Sequence, residues 1–129
     1  MIDERRTPLP NAFAQHNGIR FRLIDQDEAE AVLEVGPNSL NPYGRLHGGA
    51  YYAMADCAGG CACRSDGRHY VTLHGGMDFI RSADSGTVIA RAKVRHRGNS
   101  TCQTAVDIRD EAGKLLATGD FTFFCLDHQ

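Results

Sequence analysis

One carboxylate stands apart from the other acids in this chain. Asp56 lies in the apolar stretch LHGGAYYAMADCAGGCAC, residues 46–63, and is the only acid between Glu34 and Asp66. Its neighbours are Ala55, Cys57 and Ala58. Aspartate suits a helix interior poorly, because its side chain competes for nearby backbone hydrogen bonds. A buried carboxylate without a partner is costly. Two roles would offset that cost. One is a structural acid bonded to backbone or to an arginine. The other is a carboxylate held in a dry cleft as a base or nucleophile. Gly48 and Gly49 open the same stretch. The first amides of a helix lack internal partners and carry the positive end of its dipole. Glycine lets a ligand oxygen come close to the backbone. Together these make either an oxyanion hole or plain helix initiation after a loop.

Both features cannot serve one carbonyl within one helix. Eight residues separate Gly48 from Asp56, about 12 Å along a helix axis. Either they are unrelated, or Gly48 of one subunit works with Asp56 of another. The second case requires at least a dimer, with two equivalent sites related by a two-fold axis.

The surrounding pattern predicts the elements that would hold these groups. Residues 1–18 form an N-terminal arm with one short helical turn near Asn11–His16, and 19–129 form the domain. Ile19, Phe21 and Leu23 alternate with arginines, and Ala29, Ala31 and Leu33 alternate with Glu30, Val32 and Glu34. A period of two marks strands, here joined at DQDE. GPNSLNPYGR is a loop. The stretch 48–63 is apolar on almost every side, so its helix is expected to be enclosed. Four more strands follow, expected as a meander: 70–80, then Val88 to Val94, Cys102 to Ile108, and Phe121 to Cys125. The tetrapeptide LHGG recurs at Leu73–Gly76, where two glycines in a strand suggest a bulge or close ligand approach. His74 is accordingly a candidate pocket residue. Strands paired through short turns around one apolar helix make an α+β architecture.

Bulk properties exclude several classes. The chain has 129 residues, 42% hydrophobic and 23% charged, with a formal charge of −2. That suits one globular domain and lacks the basic excess of a nucleic-acid binder. The N-terminus has no apolar signal segment, and no run of about 18 apolar residues predicts a membrane span. Five cysteines without an export signal fit free thiols in the cytoplasm. Cys57 and Cys61, with His69 or His74 nearby, form no complete ligand set, so no metal and no cofactor are expected.

NPYGRLHGGAYYAMADCAG resembles the signature of hotdog-fold acyl-CoA thioesterases of the phenylacetate-pathway type. That signature has an Asn, an HGG six residues on, and an acid nine residues past the His in an Ala-rich helix. Here these are Asn41, His47, Gly48 and Asp56. The resemblance extends diffusely over residues 19–125. It implies a curved antiparallel sheet wrapped around the long helix, in a dimer or a dimer of dimers with sites at the interface. The substrate would be an acyl-CoA, with no nucleic acid and no membrane involved. Asp56 would be the base or nucleophile and Gly48 N–H the oxyanion donor. His47 would orient that end, Asn41 would position thioester or water, and Thr72 would hold water near the acid. Gly49 and His74 would line the substrate site, and CoA phosphates would meet Arg64, Arg68, Arg81, Arg91, Lys93, Arg95 or Arg97, the densest cluster being that around Arg97. Tyr51 and Tyr52 sit where small apolar residues are common in the family, and core packing is their expected role. Two other activities are compatible with the motif: non-catalytic acyl-CoA binding, and hydration or dehydration of an acyl thioester.

Overall fold

The computed structural model describes residues 9–127. The first eight residues of the expected arm lie outside them. The remainder of the arm contains the expected turn, α1 (Ala12–His16), whose cap Asn11 accepts the Ala14 N–H at 3.0 Å. There follow β1 (Ile19–Asp25), β2 (Glu28–Glu34), α2 (Gly48–Cys63), β3 (Tyr70–Phe79), β4 (Thr87–Arg97), β5 (Thr101–Asp110) and β6 (Leu115–Cys125). The strands form one antiparallel sheet in the order β1-β2-β4-β5-β6-β3. Among the described residues no helix is long and apolar enough to cross a membrane.

The two-residue alternation decides which side of the sheet takes the helix. Ala29, Ala31, Leu33, Val88, Ala90, Ala92, Val106, Ile108, Phe121 and Phe123 are buried, while their immediate neighbours along each strand are largely exposed or half-buried. The alanines on β2 and β4 let α2 lie close to the sheet. From α2, Tyr51, Met54, Ala55, Ala58 and Ala62 are buried at three- and four-residue spacing, one stripe of a 3.6-residue helix. Gly59 belongs to this face: a Cβ there would stand 2.9 Å from the Phe123 ring. The helix begins at the His47 cap and ends where Arg64–Asp66 tighten into a 3₁₀ turn, closed by Gly67 at φ 88°. The helix is not enclosed on every side, as its composition suggested. Tyr52, Asp56, Gly60 and Arg64, spaced by four, form a stripe that the sheet leaves partly uncovered.

The four-strand meander also needs correction. β4, β5 and β6 are consecutive hairpins, the second turning at Gly113 with φ 85°. β3 instead lies on the far edge against β6, and β4 pairs with β2. Residues 80–86 cross the end of the sheet. Ile80 and Arg81 N–H both donate to the Leu116 carbonyl, and Leu46 N–H donates to Ala83. Alternation marks a strand, but it does not choose between two sheet edges that offer the same unpaired backbone groups.

The second LHGG behaves as expected of glycines in a strand. The β3–β6 register shifts between Thr72 and His74, so Leu73 is the extra residue of a bulge. Gly75 then faces the Phe121 ring so closely that a Cβ would stand 2.5 Å from it.

Candidate active site

Asp56 lies at mid-helix on the uncovered stripe, beside the start of β3. Thr72 faces inward there, because it pairs with the buried Phe123 just before the bulge. Its hydroxyl donates to Asp56 Oδ1 at 2.5 Å. Oδ2 has no hydrogen-bond partner among the described residues. The carboxylate is half-buried, in a cleft of about 240 Å³. Phe21, Cys57, Gly60, Cys61, Tyr70 and Phe123 wall that cleft, with Arg64 at the C-terminal end of the helix stripe. Burial, and then the Asp56 charge, push the Cys57 thiol up to about 12. Burial, opposed by Arg64, takes Cys61 to about 11. Both thiols are therefore neutral walls at ordinary pH.

The other end of α2 holds the amides. His47 caps the helix, and its Nδ1 accepts the Gly49 N–H at 2.8 Å. The His47 carbonyl accepts Ala50 and Tyr51 N–H. The Gly48 N–H alone of the first four has no partner among the described residues. His47 thus sets up the donor by occupying its neighbour, and the Gly49 amide is committed rather than offered to substrate. Asn41 Oδ1 accepts the Tyr43 and Arg45 N–H groups, fixing the turn before the helix. Asn41, Arg45, Gly48, Phe79 and Arg81 border one hollow of about 270 Å³. Tyr51 is core, as expected, with its hydroxyl donating to the Arg81 carbonyl at 3.2 Å. Tyr52 is 40% exposed and packs on Phe79 and Phe121.

The structure brings Asp56 to Thr72, and Asn41 to Gly48, but the two pairs open into different hollows of one chain. The His47 ring borders a third, with Phe13, Asn17 and Gly49. His74 pairs with Thr122, whose neighbours Phe121 and Phe123 face the helix. It therefore points to the opposite side of the sheet, in a hollow with Arg95 and Asp120. Arg97 points inward. Its guanidinium bonds the Cys63 carbonyl at the end of α2, the Tyr70 hydroxyl, Asp27 at 2.7 Å and Asp66 at 2.8 Å. Rather than facing outward to a phosphate, it ties the helix end to the β1–β2 turn.

A stability prediction follows from that tie. Burial alone would raise the Asp27 carboxyl, but the Arg97 bond and charge, with Ser65, bring it below its ordinary value. Asp66 is lowered against its burial by Tyr70 and Arg68, with Arg97's charge adding to them. Depressed carboxylates stabilise the fold above the unfolded value of about 3.9. That contribution disappears as pH falls through the depressed values. Arg97→Met leaves two carboxylates facing each other and should cost about 2–4 kcal/mol at pH 7. Chemical denaturation from pH 3 to 7 should show the wild type losing more stability below about pH 4 than the variant. Equal stabilities at pH 7 would refute the role.

A family model described as the thioesterase superfamily matches residues 43–117, a span that includes Gly48, Asp56 and Thr72. The chain belongs to that superfamily. This thioesterase is 33% identical over 132 residues to the 1,4-dihydroxy-2-naphthoyl-CoA hydrolase of Escherichia coli, covering 95% of this chain and 97% of that one. It is 32% identical over 108 residues to the acyl-coenzyme A thioesterase PaaI of Escherichia coli, covering 83% and 77%. The solved structure of conserved protein PA5202 from Pseudomonas aeruginosa matches with a TM-score of 0.86 at 30% identity, covering 91% of this chain and 95% of that one. The curved six-stranded sheet around one long helix is the hotdog fold, as the motif implied, and the expected class of thioester hydrolase stands.

Of the residues that border the hollows of Asp56 and Gly48, Arg81 stands among the expected candidates for CoA phosphates, whereas Arg45 does not. Arg45 and Arg81 flank the Gly48 hollow, brought together by the crossing segment 80–86. Arg45 Nη1 donates to Ser82 Oγ at 2.9 Å. Nothing local marks Arg45 or pairs it with Arg81, because their meeting depends on where β3 leaves the sheet.

Proposed function

We propose that this thioesterase hydrolyses an acyl- or aryl-CoA thioester to the free acid and CoA at a site shared by two subunits. Asp56 and Thr72 come from one subunit and the Gly48 N–H from its partner. The observation that carries this reading is the separation of the two groups in one chain. One chain has an aimed carboxylate in one cleft and an open helix-terminal amide in another.

The edge of the sheet supplies a means of joining them. β3 is a long outer strand with Val71, Leu73 and Phe79, and Ile80 just after it, all about half exposed or more. Such an edge is a template for another strand. Thr72 marks the Asp56 end of β3. Phe79 marks the amide end, its ring 3.7 Å from where a Gly48 Cβ would stand. Antiparallel pairing of β3 with its copy about Gly75–Gly76 places Thr72 of one subunit opposite Phe79 of the other. Each carboxylate then faces the partner's amide, and a two-fold axis makes two such sites.

Within that site the thioester carbonyl oxygen accepts the Gly48 N–H, where the helix dipole favours developing negative charge. Thr72 holds Oδ1 of Asp56 and leaves Oδ2 toward the carbonyl carbon. Oδ2 either removes a proton from an attacking water or attacks the carbon itself. With water as nucleophile, the tetrahedral intermediate collapses with cleavage of the C–S bond and the CoA thiolate takes the proton from Asp56. With Asp56 as nucleophile, C–S cleavage leaves an acyl–Asp56 anhydride, which water hydrolyses to the free acid, its proton passing to the CoA thiolate. Arg45 and Arg81, beside the amide, are placed for the CoA phosphates. Hydration chemistry through His47 fits less well, because its Nδ1 caps the helix and its ring borders neither half-site.

The test is CoA release, followed with a free-thiol reagent over a panel of aryl and alkyl CoA thioesters. Release of one thiol per free acid formed is the expected result. Binding without release would favour an acyl-CoA binding module, and loss of substrate without thiol would favour a hydratase.

A further inference from the structure

We propose that Tyr70 is a positioning residue for the reaction: its hydroxyl ties the start of β3 to the end of α2 and so sets the contact between Thr72 and Asp56. The inference rests on Asp56 being the reacting carboxylate and Thr72 the group that holds it. Tyr70 is the first residue of β3. Thr72, two residues on, lies on the same face of the strand, and both pair with buried residues of β6, Cys125 and Phe123. Cys63 is the last residue of α2. Asp56 lies seven residues before it, about 10 Å back along the axis. Strand and helix are thus two rails joined twice, at Tyr70 and at the bond from Thr72 to Asp56.

The Tyr70 joint is made of side chains. Its hydroxyl donates to Asp66 Oδ2 at 2.6 Å and accepts from Arg97 Nη1 at 2.9 Å. The same Arg97 nitrogen donates to the Cys63 carbonyl at 2.8 Å, on the last residue of the helix. Asp66 stands in the 3₁₀ turn that continues directly from α2. Arg68 completes the joint, with its Nε on Asp66 Oδ2 at 2.8 Å and its guanidinium 5.5 Å above the Tyr70 ring. One hydroxyl is therefore held from two points of the helix end. Burial, followed by the Asp66 bond and charge, raises the Tyr70 hydroxyl above its ordinary value and keeps it a donor.

Backbone pairing leaves the distance between the rails open. The ladder to β6 fixes β3 within the sheet, but how far an edge strand stands from the helix is a direction normal to that ladder. β3 has no strand beyond it among the described residues, and a partner strand there would also bond within the plane of the sheet. Just past Thr72 the bulge at Leu73 interrupts the register. The hydroxyl can be removed without the rest. The Tyr70 ring walls the cleft beside Phe21 and Phe123, and phenylalanine keeps that wall. Asp66 retains Arg68 and Arg97, and Arg97 retains Cys63 and Asp27. Tyr70→Phe therefore cuts the joint and leaves its surroundings paired.

The experiment is a kinetic double-mutant cycle of Tyr70→Phe with Thr72→Val, run on the best acyl-CoA of the panel. Tyr70→Phe should lower kcat about tenfold, less than the ~100-fold that a displacement of a full ångström can cost. KM should stay within about twofold, because the cleft wall is intact. In the Thr72→Val background the same substitution should change kcat by less than about twofold, since no bond is left to position. A purely structural role predicts otherwise: the tenfold loss would recur in that background, and this overturns the proposal. So does an unchanged kcat in Tyr70→Phe, or a rise in KM alone. If wild type releases CoA from no thioester, or Thr72→Val is fully active, the hydrolytic reading or its use of Thr72 fails by itself. The joint is then judged by crystal structures of wild type and Tyr70→Phe. A Thr72 hydroxyl moved beyond hydrogen-bond distance of Asp56 in the variant supports it, and an unchanged distance overturns it.

Discussion

Asp56→Asn should lower kcat on the best acyl-CoA substrate by about 10²–10⁴-fold, the usual contribution of a positioned base. Asparagine keeps the shape and can still accept the Thr72 hydroxyl through its amide oxygen. It can neither take a proton from water nor attack as a carboxylate. The fold should barely respond, because Asp56 is half-buried and its one hydrogen bond among the described residues is to Thr72. KM should change much less than kcat, since the carboxylate acts in the transition state rather than in binding. Steady-state kinetics beside a thermal melt would check both halves. Activity within threefold of wild type would remove Asp56 from the chemistry. Single turnover in heavy-oxygen water with the wild type then separates the two mechanisms. Label in the Asp56 side chain marks direct attack, with water opening the anhydride at the Asp56 carbon.

Much of this fold was legible because it rests on local periodicity. Val88–Ala90–Ala92 and Cys102–Thr104–Val106–Ile108 alternate in sequence and are buried in alternation in the sheet. The bulge at Leu73 was legible because two adjacent glycines cannot pack a strand in the usual way. The distance from Gly48 to Asp56 was legible because helix rise is fixed, and it alone required a second chain for any shared reaction. The resemblance supplied Thr72, and the structure sets it against Asp56.

What escaped depends on which distant segments meet. The position of β3 is a choice between two sheet edges that no alternation encodes. Arg97 followed a run of exposed strand cations, yet the register shift between Val94 and His96 turns it inward to two carboxylates. Gly48 and Gly49 look equivalent in sequence, but only Gly49 lies where the His47 ring nitrogen can take its N–H. Each of these outcomes is set by geometry across tens of residues, beyond the reach of local pattern.

The proposed division of the site between subunits leads to the second large effect. Gly48→Pro should lower kcat by about 10²–10³-fold, as loss of one oxyanion donor does elsewhere. Proline removes the N–H yet suits the first position of a helix. His47, at φ −64° and ψ 139°, already has the extended conformation preferred before proline. A Cβ at residue 48 would meet Phe79 at 3.7 Å, an ordinary contact. Gly48→Ala keeps the N–H and should lose far less activity, which separates the missing donor from any steric effect. Mixing then decides where the donor acts. Gly48→Pro and Asp56→Asn homodimers are each defective, but a mixed dimer places the intact carboxylate of one against the intact amide of the other. Random reassortment makes half the dimers mixed, each with one complete site, so activity should recover to about a quarter of wild type. The reverse mixture is equally informative. Wild type reassorted with the double variant Gly48→Pro, Asp56→Asn should fall to about a quarter, because every mixed dimer has two broken sites. If both groups acted within one chain, the first mixture would recover nothing and the second would keep about half.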